Sequence, residues 1–237
     1  MTDERLIKST ARVKGHGEVF TPRRIVKLML DQRDLQENLT SLTSTFLEPA
    51  AGEGAFLTEI LNRKIALARK ISHTISEFEQ NILLALTSLY GVELLEDNTE
   101  LLVMNMYHVF YREYINALTK YHANENTAVT KSAMTIIKSN MAHGDALTGK
   151  TENGEDIILS EWKIVLSSKG NQKIQRTEYT FDAIKNSGPS INSCSAKGKS
   201  KELSLFDDSD FDEVIRCYKY VPVKITDIYK EKMIEVS

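Results

Sequence analysis

Phe46-Leu47-Glu48-Pro49-Ala50-Ala51-Gly52-Glu53-Gly54-Ala55-Phe56 is the stretch on which the fold turns. Phe46 and Leu47 leave a Ser/Thr-rich loop and supply the apolar run of a short buried strand. Pro49 has no N–H to give to a sheet, which ends the strand there. Gly52 and Gly54 permit positive φ and let a ligand approach bare backbone. Ala55, Phe56, Leu57, Ile60 and Leu61 then recur at helical spacing, so a helix starts at the turn. A glycine turn feeding a helix N-terminus offers free N–H groups and the positive end of a helix dipole. That surface suits the carboxylate end or the ribose of a nucleotide-like cofactor. Two glycines after a strand also occur as a plain structural turn, so the reading rests on what flanks them.

Upstream, Gly17-Glu18-Val19-Phe20-Thr21-Pro22 precedes an apolar stripe at Ile25, Leu28 and Met29. Thr21 reads as an N-cap and Pro22 as the first helical residue. On its own this is a capped amphipathic helix. Downstream, a helix runs from Ala55 to about Arg69. A second, from Ser76 to Leu86, carries Phe78, Ile82, Leu83 and Leu86 on one face, with Ser76 and Glu79 as a capping box. Ser88 to Glu93 reads as a strand ending in an acid, the place where a doubly wound sheet binds ribose hydroxyls. A long helix from Asn98 to about His122 places a Met and aromatic stripe in the core. A helix from Lys131 to Ser139 leads into Met141 to Leu147, a strand ending in Gly144-Asp145-Ala146. Thr148 to Asp156 is a turn-rich loop, and Ile157 to Leu166 has strand character, bent or interrupted near Ser160, with Trp162 as a buried anchor.

Together these segments resemble the adenine-N6 DNA methyltransferases. Glu48 to Phe56 is similar to the first motif of that family, commonly Asp-Pro-Ala-Cys-Gly-Ser-Gly-x-Phe, with Glu48, Ala51 and Glu53 as mild departures. Gly17 to Pro22 resembles the segment that precedes the glycine loop there and closes over the methionine part of S-adenosylmethionine. Gly91-Val92-Glu93 and Gly144-Asp145-Ala146 resemble the next two motifs, in the same order. The resemblance implies an α/β fold with a doubly wound, Rossmann-like sheet and an N-terminal helical cap. It implies that S-adenosylmethionine is held by Phe20, Thr21, Pro22, Glu48, Pro49, Ala50, Gly52, Gly54 and Phe56. Glu93 would take the ribose, and Asp145 and Ala146 the adenine. A carboxylate at Asp145 suits a donating exocyclic amine and rejects a keto oxygen.

The family's catalytic motif, Asp or Asn followed by Pro-Pro and an aromatic, does not occur: of four prolines, no two are adjacent. In the family that motif aligns the target amine and stacks on the flipped-out base. The nearest stretch is Phe181-Asp182-Ala183-Ile184-Lys185-Asn186-Ser187-Gly188-Pro189-Ser190. Asn186 is its one candidate for holding an amine, and no aromatic follows. Lys169 to Thr177 reads as a helix or loop. Gly188 to Asp212, with acids at Asp207, Asp208, Asp210 and Asp212, is too polar to offset the entropy of ordering. Leu203-Ser204-Leu205-Phe206 within it is a docking element or simply loop. Val214 to Val223 reads as a strand, and Thr226 as the cap of a terminal helix through Ile234. Too little chain follows Asn186 for further strands and a target-recognition region, so the sheet is expected to be incomplete in its C-terminal half.

The expected division is an N-terminal arm and capping helix over 1–44, a cofactor-binding core over 45–166, and a degenerate or truncated part over 167–237 with a flexible loop near 188–212. The 237 residues, 41% hydrophobic and 27% charged, suit a globular domain of that size. No apolar run reaches the length of a membrane span and the start lacks a signal-peptide pattern, which points to the cytoplasm. Two cysteines, Cys194 and Cys217, make no metal set, and no metal is expected. The formal charge of −3 argues for weak DNA binding by the chain alone, although Lys8, Arg12, Lys14 and His16 could touch phosphate. Two readings stand side by side. One is a DNA methyltransferase of a restriction-modification system. The other is a catalytically incomplete subunit that binds the cofactor and needs a partner methyltransferase or restriction chain. A small-molecule or protein methyltransferase fits less well, because the Phe20-Thr21-Pro22 segment resembles the DNA enzymes most.

Overall fold

The structure, a computed structural model, describes residues 21–166, 170–191 and 217–236. Three short strands, β1 (Phe46–Glu48), β2 (Leu89–Glu93) and β3 (Met141–His143), form a parallel sheet in the order β1-β2-β3. Leu47 pairs with Tyr90, and Val92 with Ala142. Between β1 and β2 lie α3 (Ala55–Ile71) and α4 (Ile75–Leu86). Between β2 and β3 lie α5 (Glu96–Tyr121) and α6 (Thr127–Asn140). Two shorter helices, α1 (Arg23–Leu30) and α2 (Arg33–Leu39), precede β1.

Both crossovers step the same way across the sheet, and right-handed connections then put their helices on one face. Alternation along β2 sorts its side chains between the faces. Leu89 and Gly91 meet the helices, so closely that a Cβ on Gly91 would lie 2.9 Å from Leu57 Cδ1 and 3.1 Å from Leu102 Cδ2. Tyr90 and Val92 point the other way. That second face is covered by a hairpin of β4 (Ile158–Leu166) and β5 (Gln172–Thr180) and by the one-turn helix α7 (Phe181–Lys185). Val92, Ile157, Leu159 and Phe181 are buried there together, and Tyr90 Oη–H donates to the Ser160 carbonyl at 2.9 Å. The change of direction that makes a sheet doubly wound is not seen among the described residues, where β1 pairs only with β2.

The main core is one buried cluster reaching from Val26 and Leu30 on α1, through α3 to α6, to Ile174 and Ile228. At the C-terminal end β6 (Cys217–Tyr220) pairs with β7 (Met233–Val236) around a 3-10 turn at Ile225–Lys230. Arg176 fastens this part to the hairpin. Its guanidinium donates to Ser160 Oγ, Glu178 and Glu231 and lies over the rings of Trp162 and Tyr220.

Several local expectations change. Pro22 itself, with φ −60° and ψ 141°, is the cap of α1, because its carbonyl takes the first helical N–H groups from Ile25 and Val26; Thr21 makes no capping bond. Helix α4 begins two residues earlier than the capping box at Ser76 requires: Thr74 accepts from Glu77 N–H, and the half of the box assigned to Glu79 goes instead to Tyr114, whose Oη–H donates to Glu79 at 2.7 Å. Helix α6 starts at Thr127 behind an Asn126 cap. Strand β4 runs unbroken through Ser160, because Arg176 Nε–H satisfies the buried hydroxyl. Gln172 to Thr180 is strand rather than helix or loop, paired residue for residue with β4. In place of a terminal helix, Glu231 at φ +42° ends the 3-10 turn and lets β7 return along β6. Phe20, the arm over 5–18, the acidic stretch with Leu203 to Phe206, and residues 214–216 lie outside the described residues.

Candidate cofactor site

The C-terminal ends of β1, β2 and β3 lie side by side, so the three motifs read from the sequence come to one edge of the sheet. After β1 the chain turns through Pro49 and Ala50, both exposed. Ala50 N–H donates weakly to Glu48 Oε1 at 3.4 Å. Burial pushes the Glu48 carboxyl above the usual range, and the Ala50 N–H pulls it back in part. Ala51 N–H still reaches the Val92 carbonyl at 3.0 Å, carrying the β1–β2 ladder one step past the strand.

The loop then makes two left-handed turns. Gly52 sits at φ +53° and Gly54 at φ +89°. Gly54 closes a turn onto the Ala51 carbonyl and is the cap of α3, its own carbonyl taking Thr58 N–H at 2.9 Å. A Cβ on Gly54 would lie 2.5 Å from Leu102 Cδ1, whereas one on Gly52 would meet nothing within 4 Å. Gly54 is therefore glycine for packing, and Gly52 leaves an opening. The N–H groups of the first turn of α3 have no acceptors within the helix.

Glu93, at the end of β2, is the fixed point of the site. It is 7% exposed. Gly52 N–H donates to Glu93 Oε2 at 2.7 Å, a bond across 41 residues that ties the glycine loop to the acid. Leu95 N–H and Asn98 Nδ2–H donate to Glu93 Oε1 at 3.1 and 3.2 Å. Asp145 follows one strand further on. Gly144 N–H donates to the Glu93 carbonyl at 2.9 Å, so the third motif is bonded to the second. The Asp145 carboxylate accepts from Leu147 N–H at 2.8 Å and Thr148 Oγ–H at 3.2 Å, holding the turn that carries Ala146. From the glycine loop to Asp145 is two strand spacings, about 10 Å, the length of a nucleoside.

Of the residues expected here, the structure brings Gly52, Gly54, Glu93, Asp145 and Ala146 to this edge, with Glu48, Pro49 and Ala50 on the loop beside it and Phe56 in the first turn of α3. Thr21 and the cap Pro22 precede α1, which lies along α3. There Arg63 donates to the Leu30 carbonyl and pairs with Asp31 at 2.8 Å. Asn186 is exposed at the C-terminal cap of α7. The start of α7 lies against the Asp145 turn: a Cβ on Gly149 would be 2.7 Å from Asp182 Oδ1.

Three polar residues of the site's framework were not singled out by the sequence. Asn98 is fully buried at the base of Glu93, and Asn105, two turns along α5, donates to the Glu53 carbonyl at 2.9 Å. Lys64 of α3 is also fully buried. Its ammonium donates to the Leu42 and Ser44 carbonyls and to Ser88 Oγ at 3.1, 2.6 and 2.6 Å, fixing the entries to β1 and β2. Burial draws Lys64 down to about 8. The signal was periodicity: Lys64 shares the face of Leu57, Leu61 and Ala68, and Asn98 and Asn105 share that of Leu102.

The edge of this parallel sheet thus presents a glycine loop, a buried acid and a second acid one strand further on. A model of the N-6 DNA methylase family matches residues 3–189, and the chain belongs to that family. Comparison with curated proteins gives no match, and neither does comparison with solved structures. Among the described residues, no helix is long and apolar enough to cross a membrane.

Proposed function

We propose that this chain binds S-adenosylmethionine along the strand ends and serves the transfer of its methyl group to the N6 amine of adenine in DNA, in a cytoplasmic restriction-modification system. The observation that carries this is the Gly52–Glu93 bond inside a chain of the N-6 DNA methylase family. The residues present fit the cofactor. Gly52 leaves open space where a side chain would stand, and the α3 N-terminus suits a carboxylate. Each carboxylate oxygen has two acceptor positions, so Glu93 Oε2 can keep Gly52 N–H and still take a ribose hydroxyl. Asp145 would accept from the adenine amine while retaining its turn. Bound here, the sulfonium supplies an electrophilic methyl group, and the chain's own task is to hold and orient. In the complete assembly the sheet is doubly wound, continuing past β1 with its next helices on the second face.

Among the described residues β1 has no neighbour but β2, and this edge favours a second reading, in which a partner chain supplies base binding and target recognition. Beside that edge runs a groove of about 410 Å³ lined by Leu47, Tyr90, Leu159, Tyr179 and Ile184. One pair of experiments separates the two. Titration calorimetry with S-adenosylmethionine is expected to give a saturable heat; none would refute the cofactor site. Tritiated cofactor with mixed-sequence DNA is expected to label adenine. Labelling by the chain alone supports a complete enzyme, and labelling only with a second chain supports the split one.

A further inference from the structure

We infer that α5 is the jig of the cofactor cradle, with Asn98 and Asn105 as positioning residues. This deepens the cofactor reading and rests on it. Each asparagine holds one half of the site. Asn98 Nδ2–H reaches Glu93 Oε1 at 3.2 Å, and Asn105 Nδ2–H reaches the Glu53 carbonyl at 2.9 Å. Seven residues on one helix are nearly two full turns, so the two amides project from the same face, about 10 Å apart along the axis. Leu102 lies between them and presses on Gly54 and Gly91. A single rigid element thus touches the acid, the glycine loop and the strand below them.

The donor is chemically required at both places. Glu93 Oε1 and the Glu53 carbonyl are acceptors only, so an amide must present N–H to each. With Leu95 N–H on the same oxygen, Asn98 fills the inner side of Oε1 and leaves Oε2 turned to Gly52 and the opening. Asn105 orients the Glu53–Gly54 peptide by fixing its carbonyl toward α5. With Gly54 N–H closing on the Ala51 carbonyl and Gly52 N–H on Glu93, the loop is held in shape before any ligand arrives, which lowers the ordering cost of binding. Asn98 is fully buried, where an unpaired amide would be costly, so its bond to Glu93 is part of why it persists there.

The two roles predict different signatures. Asn98 acts through the acid that would read ribose, so its effect is specific to the ribose hydroxyls. Asn105 acts through the loop, so its effect is indifferent to them. The test measures binding of S-adenosylhomocysteine and of its 2′-deoxy analogue by calorimetry, with melting curves for every variant. Wild type is expected to prefer the ribonucleoside by about tenfold or more, the worth of a hydrogen bond to a charged acceptor. Asn98→Ala should cut that preference to about threefold or less, and Asn98→Ser, which keeps a small donor, should restore part of it. Asn105→Ala should weaken both ligands alike. A wild-type preference that survives unchanged in Asn98→Ala overturns the role of Asn98. Unchanged affinity in Asn105→Ala overturns that of Asn105. Should Asn98→Ala fail to melt cooperatively, Asn98→Ser carries the same criterion: a preference equal to wild type with lower affinity overturns the inference. A wild-type chain that binds neither ligand removes the cofactor reading itself, and the inference with it.

Discussion

The two glycines of the loop should respond to alanine in opposite ways. Gly52 sits at φ +53° with open space where a Cβ would stand. Gly52→Ala therefore meets no clash, and its penalty is the left-handed backbone alone, about 1–2 kcal/mol. The N–H to Glu93 Oε2 is kept. For a chain of this size that is a fall in melting temperature of roughly 2–8 °C. Gly54 sits at φ +89°, and its Cβ would stand 2.5 Å from Leu102 Cδ1 inside the core. Gly54→Ala adds overpacking of about 1–3 kcal/mol to the same backbone penalty, for a total of about 2–5 kcal/mol. Binding should rank the other way relative to stability. The new methyl of Gly52→Ala projects into the opening, so the folded variant should lose S-adenosylmethionine affinity by tenfold or more. Circular dichroism melting and calorimetry on the same samples read both quantities. A Gly52→Ala protein that binds as wild type would show that the cofactor does not approach this backbone. A Gly54→Ala protein as stable as wild type would show that Leu102 is not where the structure has it.

Asp145→Ala should weaken S-adenosylmethionine by about 1–3 kcal/mol in calorimetry, from the lost bond to the adenine amine. Asp145→Asn, which can still accept from Leu147 N–H, should preserve the turn and show a smaller loss. Gly91→Ala should destabilise by about 1–3 kcal/mol in urea titration, because Leu57, Met141 and Leu102 already fill its surroundings. Lys64 has a folded value of about 8, below its ordinary 10.5, so the unfolded chain holds more protons between the two. Urea stability should then rise from about pH 8 toward pH 10.5, by no more than about 3 kcal/mol, and Lys64→Met should remove that rise.

What the sequence made legible was local chemistry. Pro49 ends β1 because a proline cannot donate, and Gly52 and Gly54 mark left-handed turns because nothing else adopts them cheaply. Each acid of the site stands at the end of an apolar run, so Glu93 and Asp145 could be placed on strand ends without knowing how the strands pair. The illegible parts depend on partners far along the chain. Strand β5 carries Gln172, Lys173, Gln175, Arg176 and Glu178, a composition that suits a loop; only pairing with β4 and the aromatic faces around Arg176 make it a strand. Glu79 completes a local capping pattern by spacing, yet a buried tyrosine 35 residues away takes it. The bond from Gly52 to Glu93 was equally invisible, since neither residue signals the other.

That bond also bears on where the missing chemistry would come from. A parallel sheet with an open edge at β1 leaves backbone groups of Leu47 without a strand partner among the described residues, and Leu47 itself is 44% exposed. Parallel strands are ordinarily paired and covered on both sides. The cradle, by contrast, is already closed: loop to acid, acid to α5, and β3 to β2 through Gly144 and Glu93. The bonds that close the cradle thus all lie within the described residues, whereas β1 has no second neighbour among them. Within the chain, the segment best placed to contribute is α7, whose Asp182 crowds Gly149 beneath the Asp145 turn. Asn186 stands one turn further on, exposed, with Ser187 and Gly188 lining the groove beside β1. If methyl transfer is this chain's own, Asn186→Ala should abolish labelling of DNA and leave cofactor affinity unchanged. If a partner supplies the chemistry, the same substitution should leave labelling by the assembled pair intact.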